Sequence, residues 1–394
     1  MINLNRNEKY LVAVSGGPDS IFLLNSVKNY EVIVCHVNYR FRSDSNNDQR
    51  IVEEFCSANQ IKCEILNVEC EYSNLKQNFE EFARETRYNF FNKIGIKYGI
   101  KNLLVAHNFN DLVETYIMQK RRQNNVDFFG LRSITTYKSL TIIRPMLNFL
   151  KSSILESLNS FNIEYANDLT NLDSKYLRNE IRSQLNEKDF ENYYFQINKE
   201  NKQLEKLKNE VKFYTLNNLS ADELILQKKL TSFSQEKIQR ILFYFLKTIK
   251  KDYLLQKRKN STIKEIAWRL KTSNKPFWKI KLDDFFLIKD FDRLFLAPST
   301  AFDFKTIIIK SQQDLYLAEE FVNWLEIFTT IKNDRERYPY VITNNYEVYK
   351  QTTFVEFVKT NRYLIDNKIR YRNRIYKAVV YKENELKILN KMTR

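Results

Sequence analysis

Apolar residues in the first 145 positions fall into short runs separated by longer amphipathic stretches. Residues 9–14 read as a buried strand, and 20–28 as a helix with Ile21, Leu23, Leu24 and Val27 turned inward. Strands at 31–37, 62–68, 102–106 and 140–144 then alternate with helices at 47–58, 78–97 and 110–120, and Pro145 stops the last strand. Strands alternating with helices of this length predict a parallel sheet with crossover helices. Such sheets bind ligands beyond the carboxyl ends of their strands. The loops after residues 14 and 106 are therefore the places to seek chemistry.

From about residue 183 to 271 the pattern turns helical, polar and lysine-rich, as at 198–212 and 234–251. Short strands follow at 278–282, 285–289, 293–297 and 306–310, then a helix at 315–330 and a tail rich in tyrosine and arginine. The expected fold is α/β: a Rossmann-like parallel sheet with helices on both faces, then a helical region and a small α+β C-terminal domain. The expected boundaries divide the chain into residues 1–185, 186–300 and 301–394.

Charge changes this picture. The net +16 is carried entirely by residues 201–394, because residues 1–200 sum to 0. A general lysine bias would raise charge everywhere, so the asymmetry points to a neutral first part and a second part that binds a polyanion. Nucleic acid is the first candidate and an anionic membrane surface the second. No run of about 18 apolar residues is present, so no membrane span is expected. Cys35, Cys56, Cys63 and Cys70 form no C-x-x-C pair, and with only His36 and His107 no zinc set has suitable spacing. The N-terminus lacks the apolar core of a signal peptide, so reduced thiols and a cytoplasmic location are expected.

Glycine is scarce: five in 394 residues, all in the first 130, with Gly16 and Gly17 adjacent. They lie in Ser15-Gly16-Gly17-Pro18-Asp19-Ser20, directly after the first strand and before a helix. A tight turn with an Asp or Ser cap would use similar residues. Glycines also let backbone N–H groups approach an anion, and a helix N-terminus adds free donors and a favourable dipole. Ser15 and Ser20 add hydroxyls. Asp19 is anionic, so beside phosphates it makes sense through a divalent cation such as Mg²⁺. No Gly-Lys-Ser/Thr follows, which excludes a Walker P-loop.

The segment matches the Ser-Gly-Gly-x-Asp-Ser signature of the PP-loop ATP pyrophosphatases at five positions. Within that superfamily, further segments resemble the tRNA(Ile)-lysidine synthase family. His36-Val37-Asn38-Tyr39-Arg40 is similar to its His-Val-Asn-His segment, with Tyr39 in place of histidine. Arg84, Arg87 and Tyr88 match its Ala-Arg-x-x-Arg-Tyr helix. His107, Asn108, Asp111, Glu114 and Thr115 match its Ala-His-His-x-x-Asp-x-x-Glu-Thr loop, with Asn108 for the second histidine. Arg144-Pro145, with Lys151 following, resembles its Arg-Pro-Leu segment, and Gln123 stands where an Arg-Gly segment often has glycine. Asp168, Asn171 and Asp173, then Arg178-Asn179 and Arg182, resemble its closing elements. More loosely, residues 359–374 resemble a tRNA-binding tail; Tyr363, Arg370, Tyr371, Arg372 and Arg374 suit RNA backbone and stacking contacts.

The resemblance implies that ATP and Mg²⁺ sit on Ser15, Gly16, Gly17, Pro18, Asp19 and Ser20, with His36 and His107 lining the nucleotide pocket. His107 ends a strand, where a lone histidine is as often structural. Asp111 and Glu114, three apart, share a helix face and could hold either Mg²⁺ or the amine of a lysine substrate; Asp19 and Asp111 are the expected metal ligands. Arg84, Arg87, Lys151, Arg178 and Arg182 would neutralise phosphate charge. Residues 1–185 would then be the catalytic domain, and 186–300 and 301–394 would bind tRNA. The implied reaction joins free L-lysine to a cytidine of tRNA(Ile) with a CAU anticodon through an adenylated intermediate. No membrane partner is expected, and a homodimer is one expected assembly. The rival readings are a PP-loop tRNA thiolase, disfavoured by the missing cysteine pair, and a non-catalytic tRNA-binding relative. Another amide-forming ligase, with a small acidic substrate, would not explain the charge of the second half.

Overall fold

Two compact units, Met1–Glu205 and Lys206–Arg394, make up the computed structural model, which describes residues 2–40, 45–69, 79–123, 125–166, 177–256, 258 and 260–392. Residues 201–205 hold one lysine and one glutamate, so the charge divides at this boundary too, 0 before it and +16 after. Asp168, Asn171, Asp173 and Cys70 lie outside the described residues, as does the side chain of Arg178.

The first unit contains strands β1 (Tyr10–Ala13), β2 (Val32–Asn38), β3 (Lys62–Asn67), β4 (Asn102–Val105), β5 (Ile134–Tyr137) and β6 (Leu140–Ile143). Its helices are α1 (Pro18–Val27), α2 (Ser45–Ala58), α3 (Phe79–Tyr98), α4 (Phe109–Arg122), α5 (Lys151–Ser160) and α6 (Leu177–Gln184), and α7 (Phe190–Asn217) runs through the boundary. The strands form one sheet in the order β3-β2-β1-β4-β6-β5. Every pairing is parallel except that of β5 with β6.

Alternation along the strands decides which helix covers which face. Tyr10, Val12 and Val34 cluster with Ile21 and Leu24 of α1, Val52 of α2 and Ile154 of α5. Leu11, Cys35 and Leu103, out of phase with them, meet Tyr88, Phe91 and Ile94 of α3. Each fully buried aliphatic side chain stabilises by about 1.5–3 kcal/mol, so both faces are firmly covered. The antiparallel edge strand β5 was not expected from the pattern. Its residues are never fully buried, and its turn to β6 carries Lys138 at φ +50 instead of the Asn-Gly or Asp-Gly that marks such turns.

The second unit has helices at Gln235–Thr248 and Asn260–Thr272, and a five-stranded antiparallel sheet that includes Phe277–Leu282, Phe285–Asp290 and Arg293–Pro298. Leu242, Phe245 and Ile266 of these helices pack on Leu287 and Leu294 of the sheet. Ile288, Phe295 and Ala297 share a separate core with Tyr349, Leu364, Tyr371 and Ile375. Residues on either side of position 300 therefore fold together. A second sheet joins Thr306–Ile309, Tyr340–Thr343 and Val379–Tyr381.

The helix expected at 315–330 is two elements, a 3₁₀ run at Gln312–Glu320 and an α-helix at Trp324–Asn333. Asn323 breaks it. Its side chain accepts from the Ala378 amide at 2.8 Å and donates to the Ala378 carbonyl at 3.0 Å. That pair of bonds competes with helix continuation, as asparagine side chains do.

Candidate active site

Strand β1 is central in the sheet, with β2 on one side and β4 on the other. The chain order reverses between β1 and β4, which opens a crevice at their carboxyl ends. Residues 15–20 and the start of α4 both lie there. Pro18 opens α1, a position that needs no amide donor. The Ser15 amide donates to Ser20 Oγ at 3.1 Å, and Ser20 Oγ donates to the Gly17 carbonyl at 2.8 Å, closing the loop on itself. The first amides of α1 have no intrahelical acceptor, so this loop end is suited to an anion.

The two glycines differ in why they are glycines. Gly16 sits at φ +94, and a Cβ there would meet Asp48 of α2 at 3.0–3.2 Å. Gly17 is at φ −70 and ψ 165, open to any residue, and a Cβ would meet only Ser15 Oγ at 3.6 Å. Gly16→Ala is therefore expected to destabilise the fold by about 1–3 kcal/mol. Gly17→Ala should melt like the parent, so any loss of ATP use by it reports on phosphate approach. Thermal melts of both variants check this, and equal melting would refute the distinction.

Asp19 in the first turn of α1 is held from two elements. Lys151 Nζ, at the start of α5, lies 2.7 Å from Oδ2, and Asn108 Nδ2 donates to Oδ1 at 3.0 Å. Asn108 also N-caps α4: its Oδ1 accepts from the Asp111 amide at 3.1 Å, and Asp111 Oδ2 accepts from the Asn108 amide at 3.0 Å. An asparagine here accepts and donates at once, which explains how the departure from histidine is used. Gln123, the other departure, is the left-handed C-cap of α4 at φ 48 and ψ 32, a conformation glycine adopts without strain.

Glu114, one turn along α4, is fully buried and takes a bidentate ion pair from Arg182 of α6, with Nε–Oε1 2.7 Å and Nη2–Oε2 3.1 Å. Hydrogen bonding to Glu114 raises the Arg182 pKa while burial opposes it, and the charges of Asp111 and Asp19 add to the rise. One guanidinium thus lies in the field of three carboxylates. The arrangement separates the expected roles of Asp111 and Glu114, because Glu114 is committed to Arg182.

Mg²⁺ keeps its waters and its substrate phosphates and takes one or two protein carboxylates. Asp19 and Asp111 fit that demand; Glu114 does not. Among the described residues no group of three or more His, Cys, Asp or Glu could hold a metal by itself.

His36 is 2% exposed on β2, and Nδ1 donates to the Val14 carbonyl at 2.9 Å. Burial holds the imidazole below its ordinary pKa. It braces the end of β1 under the loop. His107 Nδ1 accepts from Arg144 Nε at 3.2 Å. Buried Arg144 also donates to the Arg132 carbonyl and Thr135 Oγ1. Its pKa is lowered chiefly by burial and further by the charge of Arg84. Arg84 stacks over Tyr88 at 4.8 Å, and Arg87 donates to the Ala83 carbonyl at 3.3 Å. Both are exposed on α3, and neither bonds to the loop.

The tail expectation needs correction. Tyr371 and Arg374 are buried. Arg374 donates to the carbonyls of Ile369 and Leu364 and to the Tyr346 hydroxyl at 2.8–3.1 Å. Arg370 and Arg372 pair with Glu223 at 2.6 and 2.9 Å. Arg374 thus holds the unit together from inside, and Arg370 and Arg372, about a third exposed, brace it through the buried Glu223. Lys359 and Arg362 are exposed. Sequence reasoning also passed over Arg144, Asn110 and Glu187; only the Arg-Pro match hinted at the first, and the other two carried no local signal.

Residues 1–189 match a family model described as a PP-loop domain. Over its length the chain is similar to the tRNA(Ile)-lysidine synthase of Mesoplasma florum, 52% identical over 390 residues and covering 98% of each chain. The tRNA(Ile)-lysidine synthase of Mycoplasma mycoides subsp. mycoides is 50% identical over 396 residues, 100% of this chain and 98% of the relative. That of Ureaplasma parvum is 41% identical over 210 residues, 51% of this chain and 63% of the relative.

Proposed function

The chain belongs to the tRNA(Ile)-lysidine synthase family, and from that premise we propose that it joins free L-lysine to C2 of the wobble cytidine of tRNA(Ile) with a CAU anticodon. It is a carbon–nitrogen ligase that uses ATP. The observation that carries the reading is the meeting of Asp19, Asn108 and Lys151 at the carboxyl ends of β1 and β4.

Cytosine O2 attacks the α-phosphate of ATP; the O2–phosphorus bond forms and the bond to pyrophosphate breaks. The ε-amine of lysine, after losing a proton, then attacks C2, and AMP leaves with O2. Ser15, Gly16, Gly17, Pro18 and Ser20 cradle the phosphates. Asp19 and Asp111 would hold Mg²⁺, which supplies charge neutralisation there. Lys151 and Arg182, with Arg84, Arg87 and Arg178, offset the charge of the departing pyrophosphate, and Glu114 fixes the Arg182 fork. Positioning supplies much of the rate, and the cytosine must be splayed from its loop to reach the crevice. The first unit, Met1–Glu205, carries this chemistry, and the second holds tRNA through exposed cations such as Lys359 and Arg362. A tRNA substrate supports a cytoplasmic reaction; no helix among the described residues is long and apolar enough to cross a membrane. For the thiolase reading, Cys35 and Cys56 are buried in the sheet's two cores, away from solvent.

The test is direct. Protein, ATP, Mg²⁺, lysine and tRNA(Ile) with a CAU anticodon are incubated, and the digested nucleosides are weighed. A cytidine heavier by lysine minus water is expected. Unchanged cytidine with folded, ATP-binding protein refutes the reading.

A further inference from the structure

We propose that Glu187 is a positioning residue for the adenylation step, clasping the starts of α4 and α5 so that Lys151 meets Asp19; the inference rests on the ligase reading above. Helix α5 begins at Lys151 with Leu150 as its N-cap, a residue with no side-chain acceptor. Ser, Thr, Asp or Asn at that position would cap the helix locally. Here the caps come from elsewhere in the fold. The Lys151 amide donates to Asn110 Oδ1 at 3.0 Å, and the Ser152 amide to Glu187 Oε1 at 3.3 Å.

The same carboxylate accepts from Asn110 Nδ2 at 3.0 Å and from the Ser152 hydroxyl. One side chain therefore ties α4 to α5. Both tied ends belong to the site: Asn110 is two residues beyond Asn108, and Lys151 reaches Asp19. Glu187 lies in a 3₁₀ turn, Glu187–Asp189, five residues after Arg182, which grips Glu114 further along α4. Residues 182–187 thus hold α4 at two points. Burial pushes the Glu187 carboxyl up, but the bonds from Ser152 and Asn110 outweigh it and hold it below its ordinary pKa. The anion also sits at a helix N-terminus, where it is favoured. A lysine side chain is long and flexible, so the ion pair between it and Asp19 depends on where the backbone of α5 starts.

The test uses the full-length protein and a double-mutant cycle on kcat for AMP formation. Glu187→Ala is expected to lower kcat by about 10- to 100-fold. Glu187→Gln should stay within about threefold, because the amide oxygen accepts the same two N–H groups and its NH₂ meets the Ser152 hydroxyl. In a Lys151→Met background, Glu187→Ala should cost less than about threefold more. Equal losses in both backgrounds, or no loss from Glu187→Ala, overturn the proposal. If Glu187→Ala does not fold, Asn110→Ala in the same cycle puts the same question. Parent protein that makes no lysidine refutes the ligase reading instead. The clasp is then read from the ATP-induced rise in Tm across the same variants: non-additivity supports it, and independent effects overturn it.

Discussion

Asp19→Asn is expected to lower AMP release by about 10²- to 10³-fold while tRNA binds almost as in the parent. The change keeps the size of the side chain and the Oδ1 acceptor for Asn108, 3.0 Å away. It replaces Oδ2, which faces Lys151 Nζ at 2.7 Å, with an NH₂ group. A donor then meets an ammonium, and one of the two carboxylates assigned to the metal is gone. The charge that draws tRNA lies elsewhere, since the +16 belongs wholly to residues after 200. AMP release with saturating tRNA and lysine measures the first effect, and tRNA affinity across a salt series measures the second. Loss of both together would sink the division of labour between the units.

Arg374→Ala is expected to produce the largest loss of stability. The side chain is 6% exposed, and its removal takes a donor from the Ile369 carbonyl and the Tyr346 hydroxyl, while the Leu364 carbonyl keeps only the Ile369 amide. Buried groups stripped of a partner cost about 1–3 kcal/mol each, so a loss of about 3–5 kcal/mol is expected. In a unit of this size that lowers Tm by roughly 8–15 °C. Among molecules still folded, the salt dependence of tRNA binding should not change. Lys359→Ala and Arg362→Ala should do the opposite, each lowering the salt slope by about one phosphate contact and leaving Tm in place. A Tm unmoved by Arg374→Ala, with a reduced salt slope, would return this arginine to the RNA-facing surface.

The contrast within 359–374 shows where legibility ends. Basic and aromatic residues interleaved in sequence look alike whether they face RNA or a core. Arg374 is distinguished from Arg362 only by Leu364, Ile369 and Tyr346 closing around it, and nothing local announces that. The same holds for Asn110 and Glu187, 77 positions apart. The loop at 15–20 was legible because its chemistry is local: a strand, a left-handed glycine, an N1 proline and an acidic first turn all follow one another.

The alternation of strands and helices from β1 to α4, the strand β6 and the phosphate loop were legible in the sequence alone, whereas β5 and α5 were not. Periods of 2 and 3.6 and the constraints on turns act over a few residues. The chemistry among charges was decided only by the tertiary structure. Asp19 and Lys151 are 132 positions apart and Glu114 and Arg182 are 68 apart; the first pair meets because α5 packs beside α1, the second because α6 packs on α4. Spacing could put Asp111 and Glu114 on one helix face. It took the docking of α6 to give Glu114 to an arginine and so set its role apart from that of Asp111.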